Sequence, residues 1–377
     1  VRRESKMNTK KKILVLGVGS AQFDLIVECK CRGLEVHGCS NRKEGRGLAF
    51  VDKFVLIDIK DVESVMNYVQ QMNIDYVYSI GSDIALPTIS YVNEKLNLPN
   101  FVSYETAIIC HNKSRLRETL GENFEGNIPF VVGSSFEDFK HWNIFPAIMK
   151  PVDSQGQRGV LKVNNFSEII EYFEKSSRYS QSKKVIVEKY IPSDEISVNA
   201  YVVDGEVKFK IVSDRIVFDE YPGGLVKEHR MPSKYYKKQE VIDRIEKLVV
   251  NTINVLRIKN GPVYFQIKID NDMPYLIEVT PRLDGCHMWR LIYESTGVNL
   301  LKITVDHLMG EKITDDVFEV RKIKPKVLKF ICMPPNSVFN TSEYDNKNVF
   351  WYYKNNEVVK EINGYFEKVG YYIESSE

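Results

Sequence analysis

The sequence predicts two architectures in series, a doubly wound α/β unit followed by a larger α+β unit. Three observations point there. In the first third, short apolar runs alternate with stretches of helical spacing, the pattern of a parallel sheet with helices on both faces. The middle third has paired strand-like runs joined by turn dipeptides, Asp204-Gly205 and Asn271-Asp272, which imply antiparallel hairpins. After residue 315 the chain is strand-like and rich in aromatic residues.

In order, residues 13–16 read as a buried strand, 23–32 as a helix, 35–39 and 54–57 as strands, 62–72 as a helix, 76–80 as a strand and 85–96 as a helix closed by Pro99. Gly17-x-Gly19-Ser20 is a partial dinucleotide fingerprint with Gln22 in place of the third glycine, so it reads as a tight turn under a helix. Next come a basic helix over 112–120, an apolar strand ending at Lys150-Pro151, a polar glycine loop, a strand over 160–163, a helix over 166–176 and a strand over 185–191. Residues 196–203 and 207–212 pair as a hairpin, 240–255 form an amphipathic helix, and 263–269 and 275–279 form a second hairpin. Strands over 327–333 and 349–353 follow. The expected division is a tail at 1–11, a doubly wound domain at 12–105, a larger domain at 106–315, and a β-rich segment at 316–377 that completes the core or forms an interface.

Bulk properties exclude several function classes. Lys plus Arg is 52 and Asp plus Glu is 51, a net charge of +1, which gives no reason to expect nucleic acid or an acidic membrane as partner. No apolar stretch approaches the roughly 20 residues of a membrane span. Lys10 to Lys12 before residues 13–19 imitate a signal peptide, but the run is short and Gln22, Asp24 and Glu28 follow at once. The six cysteines form no C-x-x-C pair and read as reduced thiols, so the expected location is cytoplasmic.

Three clusters could carry chemistry. Glu278-x-Thr280-Pro281-Arg282 ends one strand, and Gln266 lies on the strand before it. If these strands pair, the oxygens of Gln266 and Glu278 face one side, a ligand set suited to Mg²⁺, with Arg282 placed for phosphate or carboxylate. A surface hairpin with a salt-bridged Glu–Arg pair fits the spacing equally. Lys150 closes an apolar strand, where its charge needs a partner such as a phosphate, and Asp153 to Gly159 form a glycine loop that is otherwise a flexible surface loop. Val187 to Pro192 lead a strand into a short linker, with Glu195 beyond, and taken alone this is an exposed strand end.

In this order, with Asn112-Lys113 and Pro146 to Pro151 ahead of them, the clusters resemble the ATP-grasp superfamily. The likeness is to the branch of carbamoyl-phosphate synthase large subunits, biotin carboxylases and purine-pathway ligases, and it covers residues 12 to about 310. The resemblance implies a Rossmann-like domain at 12–105, then an ATP-grasp fold with a small lid at about 130–190, and ATP and Mg²⁺ (or Mn²⁺) as cofactors. It implies that Lys113 and Lys150 hold phosphates, with Ser154, Gly156 and Gly159 in the loop over them. Glu188 would accept from the adenine amino group beside backbone atoms of Lys189 and Ile191, and Glu195 would bind ribose. Gln266 and Glu278 would hold the metal, and Thr280, where the family usually has Asn, would be a weaker metal contact. Arg282 would stabilise the transferring phosphoryl group. Arg215, His229 and Arg290 are candidates to face substrate.

The implied activity is phosphorylation of a small-molecule carboxylate to an acyl phosphate, then joining to an amine. Alternatives are an ATP-dependent carboxylase using bicarbonate, or a nucleotide-binding protein without turnover. The implied partners are small molecules, and a homodimer is common for such folds.

Overall fold

The computed structural model describes residues 10–154, 158–218, 225–342, 348–362 and 366–376. The tail at 1–9 lies outside these residues.

The chain opens with β1 (Lys12–Leu16), α1 (Ser20–Cys31), β2 (Glu35–Ser40), β3 (Lys53–Leu56), α2 (Val62–Met72), β4 (Tyr76–Tyr78) and α3 (Ala85–Leu96). The four strands are parallel, in the order β3-β2-β1-β4. β1 is apolar on both faces because both are covered. Ile13 and Val15 join Leu25 and Ile26 of α1, while Leu14 and Leu16 join Val65 and Val69 of α2 and Ile89 of α3. The turn after β1 is filled by protein: Gln22 Oε1 accepts the Gly19 N–H at 3.1 Å and Gln22 Nε2 donates to Ile80 O at 2.6 Å. The residue that breaks the dinucleotide fingerprint thus takes up the Gly19 N–H, a donor that such a turn would offer a phosphate.

α4 (Tyr104–His111) and α5 (Lys113–Leu120) follow. Asn112 ends the first and caps the second, its Oδ1 accepting from Ser114 N and Arg115 N. A smaller unit then forms from β5 (Phe130–Gly133), β6 (Ala147–Pro151), β7 (Leu161–Val163), α6 (Phe166–Ser177) and β8 (Val185–Lys189). Its strands pair antiparallel in the order β5-β8-β6-β7, over a separate core that includes Met149, Val187 and Phe173.

The remaining elements are β9 (Asp194–Val203), β10 (Glu206–Val217), β11 (Val226–Met231), α7 (Gln239–Val255), β12 (Gly261–Asp270), β13 (Met273–Thr280), α8 (Met288–Thr296), α9 (Leu300–Leu308), β14 (Lys326–Met333), β15 (Phe350–Trp351) and β16 (Glu367–Ser375). The strands make one antiparallel sheet in the order β13-β12-β9-β10-β11-β14-β16-β15. One face packs on α7: Ile196, Val198, Ala200 and Val202 of β9 and Val263, Phe265, Ile267 and Ile269 of β12 meet Ile242, Ile245, Val249 and Ile253. The strand period of two therefore turns Glu195, Ser197 and Asn199, and Tyr264, Gln266 and Lys268, to the opposite face. That polar face is the floor of the site.

Three helices, α4, α8 and α9, and three strands, β5, β11 and β16, have no counterpart in the sequence reading. α9 reads Leu-Leu-Lys-Ile-Thr-Val, rich in β-branched residues, and is a helix because its apolar side packs into the main core. α4, α8 and β16 are likewise settled by tertiary packing. The expected strand at 349–353 contracts to Phe350–Trp351 at the sheet edge.

One buried network ties distant segments together. Asp24 of α1 binds His287 Nδ1 at 2.8 Å and accepts from Trp289 Nε1 at 2.9 Å. His287 Nε2 meets the Tyr352 hydroxyl at 2.7 Å, and its ring stacks on Tyr371 at 4.1 Å.

Candidate active site

The site is built on rows of residues that run across the polar face of the large sheet. Glu278 of β13 lies opposite Gln266 of β12, which lies opposite Ser197 of β9. In the next row Lys268 faces Glu195, Glu195 faces Arg215 and Arg215 faces His229. Direct cross-strand neighbours share a face, so five strands deliver these side chains side by side. Gln266 Nε2 donates to Glu195 Oε1 at 2.6 Å, and Arg215 makes a close ion pair with the same oxygen.

The small sheet closes over one end of this floor. Between them is a cleft of ≈ 260 Å³ lined by Lys113, Lys150, Ser154, Glu188, Ile191, Gln266 and Glu278, among others. Lys150 reaches it from the end of β6, its ammonium 2.5 Å from Glu188 Oε2. Arg117 of α5 donates from Nε to the other oxygen of Glu188 at 2.9 Å. Burial pushes the Glu188 carboxyl up, but Arg117 and Lys150 outweigh it and hold the group at about 2. Glu188 is therefore a fixed counter-charge in the cleft wall, and both its oxygens are engaged by cations.

Lys113 sits at the first position of α5, where the Asn112 cap orients it, and donates to Ser154 O at 2.6 Å. Burial first, and the adjacent Lys150 second, hold its ammonium below the ordinary lysine range. Two ammonium groups so close together, with the counter-charge at Lys150 shared with Arg117, suit a polyanion.

Glu278 shows the opposite imbalance. Burial and then the nearby Asp83 carboxylate push its carboxyl above the ordinary range, and Lys113, Arg282 and Lys150 only partly offset this. Its carboxylate and the Gln266 amide oxygen accept no hydrogen bond among the described residues. An electron-rich pair of oxygens on facing strands, with one carboxylate short of positive charge, fits a Mg²⁺-type ion that keeps other oxygens from substrate. Thr280 is two residues beyond Glu278, on the same face, and is buried.

Arg282 is held by a residue the sequence reading passed over. Asp83 Oδ1 accepts from Arg282 Nε at 2.8 Å and forms an ion pair with Nη2 at 2.5 Å, a charge-assisted contact that holds the guanidinium in place. Asp83 follows β4, at the carboxyl end of the parallel sheet, which is where such sheets present functional groups. Backbone contact brings that loop in: Gly81 N–H donates to Leu283 O at 3.1 Å. A Cβ on Gly81 would stand 2.6 Å from Gly285 Cα. Arg117 was also missed, although its i+4 spacing from Lys113 puts both on one side of α5.

Other expected residues fall as follows. Gly156 lies outside the described residues. Gly159 has φ +73° and its carbonyl accepts from Ser176 Oγ at 2.9 Å. The Lys189 N–H is used by Pro129 O at 3.0 Å, and the Ile191 carbonyl accepts from Lys268 Nζ at 3.2 Å. Arg290 does not reach the cleft: its guanidinium lies over the Phe350 ring at 4.1 Å. His229 is buried and close to Asp284 and Cys286.

The comparisons agree with this geometry. Residues 143–289 match the family described as ATP-grasp domain. The carbamoyl phosphate synthase large chain of Thermoanaerobacter pseudethanolicus is 25% identical over 226 residues, 56% of this chain and 20% of the relative. Dapdiamide A synthase of Enterobacter agglomerans is 21% identical over 249 residues, 63% of this chain and 57% of the relative. The chain therefore spans about a fifth of one relative's length and little more than half of the other's. The crystal structure of an L-amino acid ligase from Bacillus licheniformis superposes with a TM-score of 0.79 at 21% identity, covering 97% of this chain and 93% of that one. Together with the two-sheet cleft, these findings establish that the chain carries an ATP-grasp domain in an ATP-grasp fold.

Proposed function

We propose that this protein is an ATP- and Mg²⁺-dependent ligase that phosphorylates a small-molecule carboxylate and joins the acyl group to an amine. The carrying observation is the pairing of opposite electrostatic deficits in one cleft. Lys113 is a half-buried cation held below the ordinary lysine range beside Lys150, whose counter-charge Glu188 is shared with Arg117, and Glu278 is a half-buried carboxylate held above the ordinary range. A nucleotide with its divalent ion satisfies both. The names of two relatives, dapdiamide A synthase and L-amino acid ligase, support the carboxylate–amine reading.

In this reading Lys113 and Lys150 bind phosphate oxygens, and Glu188 with Arg117 keeps Lys150 pointed into the cleft. Gln266 and Glu278 hold the ion, which supplies charge neutralisation at the phosphates. Glu195 fixes the Gln266 amide so that its oxygen faces the ion, and it also holds Arg215. Thr280 is at most a secondary metal contact. Arg282, oriented by Asp83, lies beside the carboxylate oxygen as it attacks the terminal phosphorus. The carboxylate–phosphate bond forms, the bond to ADP breaks, and ADP leaves with the electron pair. Positioning and charge complementarity supply most of the acceleration in such transfers.

The test is incubation with ATP, Mg²⁺ and pools of carboxylates, followed by hydroxylamine. A carboxylate-dependent hydroxamate together with ADP is expected. ATP binding without turnover on any carboxylate, bicarbonate included, would remove the ligase reading.

A further inference from the structure

Beyond Arg282, away from the nucleotide cleft, is a second group of buried polar side chains that the phosphoryl-transfer reading does not use. His229 of β11 has no exposed surface, and neither ring nitrogen has a hydrogen-bond partner among the described residues. Asp284 is also buried, its Oδ1 accepting from Cys286 N at 3.1 Å and its Oδ2 having no partner. The Cys286 sulfur stands within 4.8 Å of ligand atoms of both residues. Lys368 of β16 completes the group, its ammonium 3.7 Å from Cys286 Sγ and 3.6 Å from the centre of the Phe330 ring. It has no carboxylate partner among the described residues.

Buried polar groups are rarely left unpaired, because their lost hydration then goes uncompensated. Orphaned atoms on two adjacent buried residues therefore mark a place where a ligand supplies the missing bonds. Their chemistry defines that ligand. His, Asp and Cys together could hold a metal ion, but the Lys368 ammonium against the sulfur opposes a cation there. The other cations nearby are already matched, Arg215 by Glu195 and Arg282 by Asp83. Among the described residues Lys368 and Asp284 are left without an ion-pair contact, Asp284 lying in the field of Arg282 and Arg215. A zwitterion answers both, and the neutral His229, whose charged form is disfavoured by burial and then by Arg215 and Lys368, can add one donor and one acceptor.

We propose that His229, Asp284 and Lys368 form the binding site for an α-amino acid, its ammonium on Asp284 and its carboxylate on Lys368. Resting on the ligase reading, this makes the amino acid the amine-bearing substrate. Its nitrogen lies on the Arg282 side and its carboxylate is held away from the phosphoryl group. It also gives the C-terminal strand β16 a part in recognition.

The experiment is calorimetric titration of the protein, with MgADP present, using each of the twenty common L-amino acids, its carboxamide and its des-amino carboxylic acid. At least one amino acid is expected to bind, while its carboxamide and des-amino analogue bind at least about tenfold more weakly. Lys368→Met keeps the apolar stem over Phe330, and it should weaken the amino acid about tenfold or more while leaving its carboxamide unchanged. Asp284→Asn should weaken the amino acid and leave the des-amino acid unchanged. Binding of no amino acid, equal binding of carboxamide and parent, or unaltered affinity in Lys368→Met overturns the proposal. Stoichiometric zinc in the purified protein that His229→Ala loses also overturns it. Because the readout is binding, a hydroxamate-forming enzyme that binds no amino acid would sink this inference and leave the ligase reading standing.

Discussion

Single side chains decide the electrostatics of the cleft. Glu188 is held at about 2 by Arg117 and Lys150 although burial opposes its charge. A depressed carboxyl contributes stability that is fully present above its unfolded value, about 4.3 for Glu, and is lost as pH falls through about 2. Glu188→Gln leaves two buried cations without their counter-charge and should destabilise the fold by about 3–5 kcal/mol, read by urea unfolding at pH 7. The variant's stability should also vary less than the wild type's between pH 5 and about 2. Glu278 has the opposite sign. Its carboxyl is raised, so metal binding must displace a proton held more tightly than usual. Mn²⁺ affinity, followed by electron paramagnetic resonance, should be weaker at about pH 5 than at about pH 8. Glu278→Gln should bind the ion poorly at both, and a variant with wild-type affinity would remove Glu278 from the metal site. At Lys150, substitution by Ala should lower kcat/KM for ATP by at least about a hundredfold. Near-normal turnover would remove Lys150 from the phosphate site.

Arg282 shows what whole elements contribute. It belongs to the loop after β13, but its orientation comes from Asp83, in the loop after β4 of the parallel sheet. The two loops meet at Gly81, whose φ of +64° and closeness to Gly285 leave no room for a side chain. Gly81→Ala should cost about 1–3 kcal/mol from the backbone conformation alone. It should also lower kcat with little change in the KM for ATP, because it moves Asp83 and not the lysines. Asp83→Asn keeps the shape but weakens the hold on Arg282, and a kcat loss of about tenfold or more is expected. Unchanged kcat in both variants would show that Arg282 needs no support from the first domain.

For the molecule as a whole, the eight-stranded sheet matters most, because segments far apart in sequence share it. β14 and β16 lie beyond β11, and Leu328, Phe330 and Tyr371 enter the same core as Ile13 and Leu25 of the first domain. The Asp24–His287–Tyr352 chain crosses the same junction. A chain cut before Lys326 should lose cooperative unfolding and bind a hydrophobic dye, since the shared core is uncovered. A sharp two-state transition in that truncated chain would show that the C-terminal strands are an accessory layer.

Sequence alone determined what depends on short-range pattern. Periods of 2 and 3.6 marked most strands and helices, Gln22 in the first turn argued against a dinucleotide site, and the order from Lys113 to Arg282 pointed to the ATP-grasp family. These are legible because propensity, turn chemistry and motif spacing act over a few residues. Tertiary structure alone decided which charges meet. Asp83 and Lys368 lie 199 and 86 positions from Arg282, and no local pattern records that the first reaches it or that the second closes the far end of the same face. α9 and β16 were hidden for the same reason, their states being set by the core they enter. The site's chemistry is a matter of net charge in a buried volume, and that sum exists only once distant elements have packed around it.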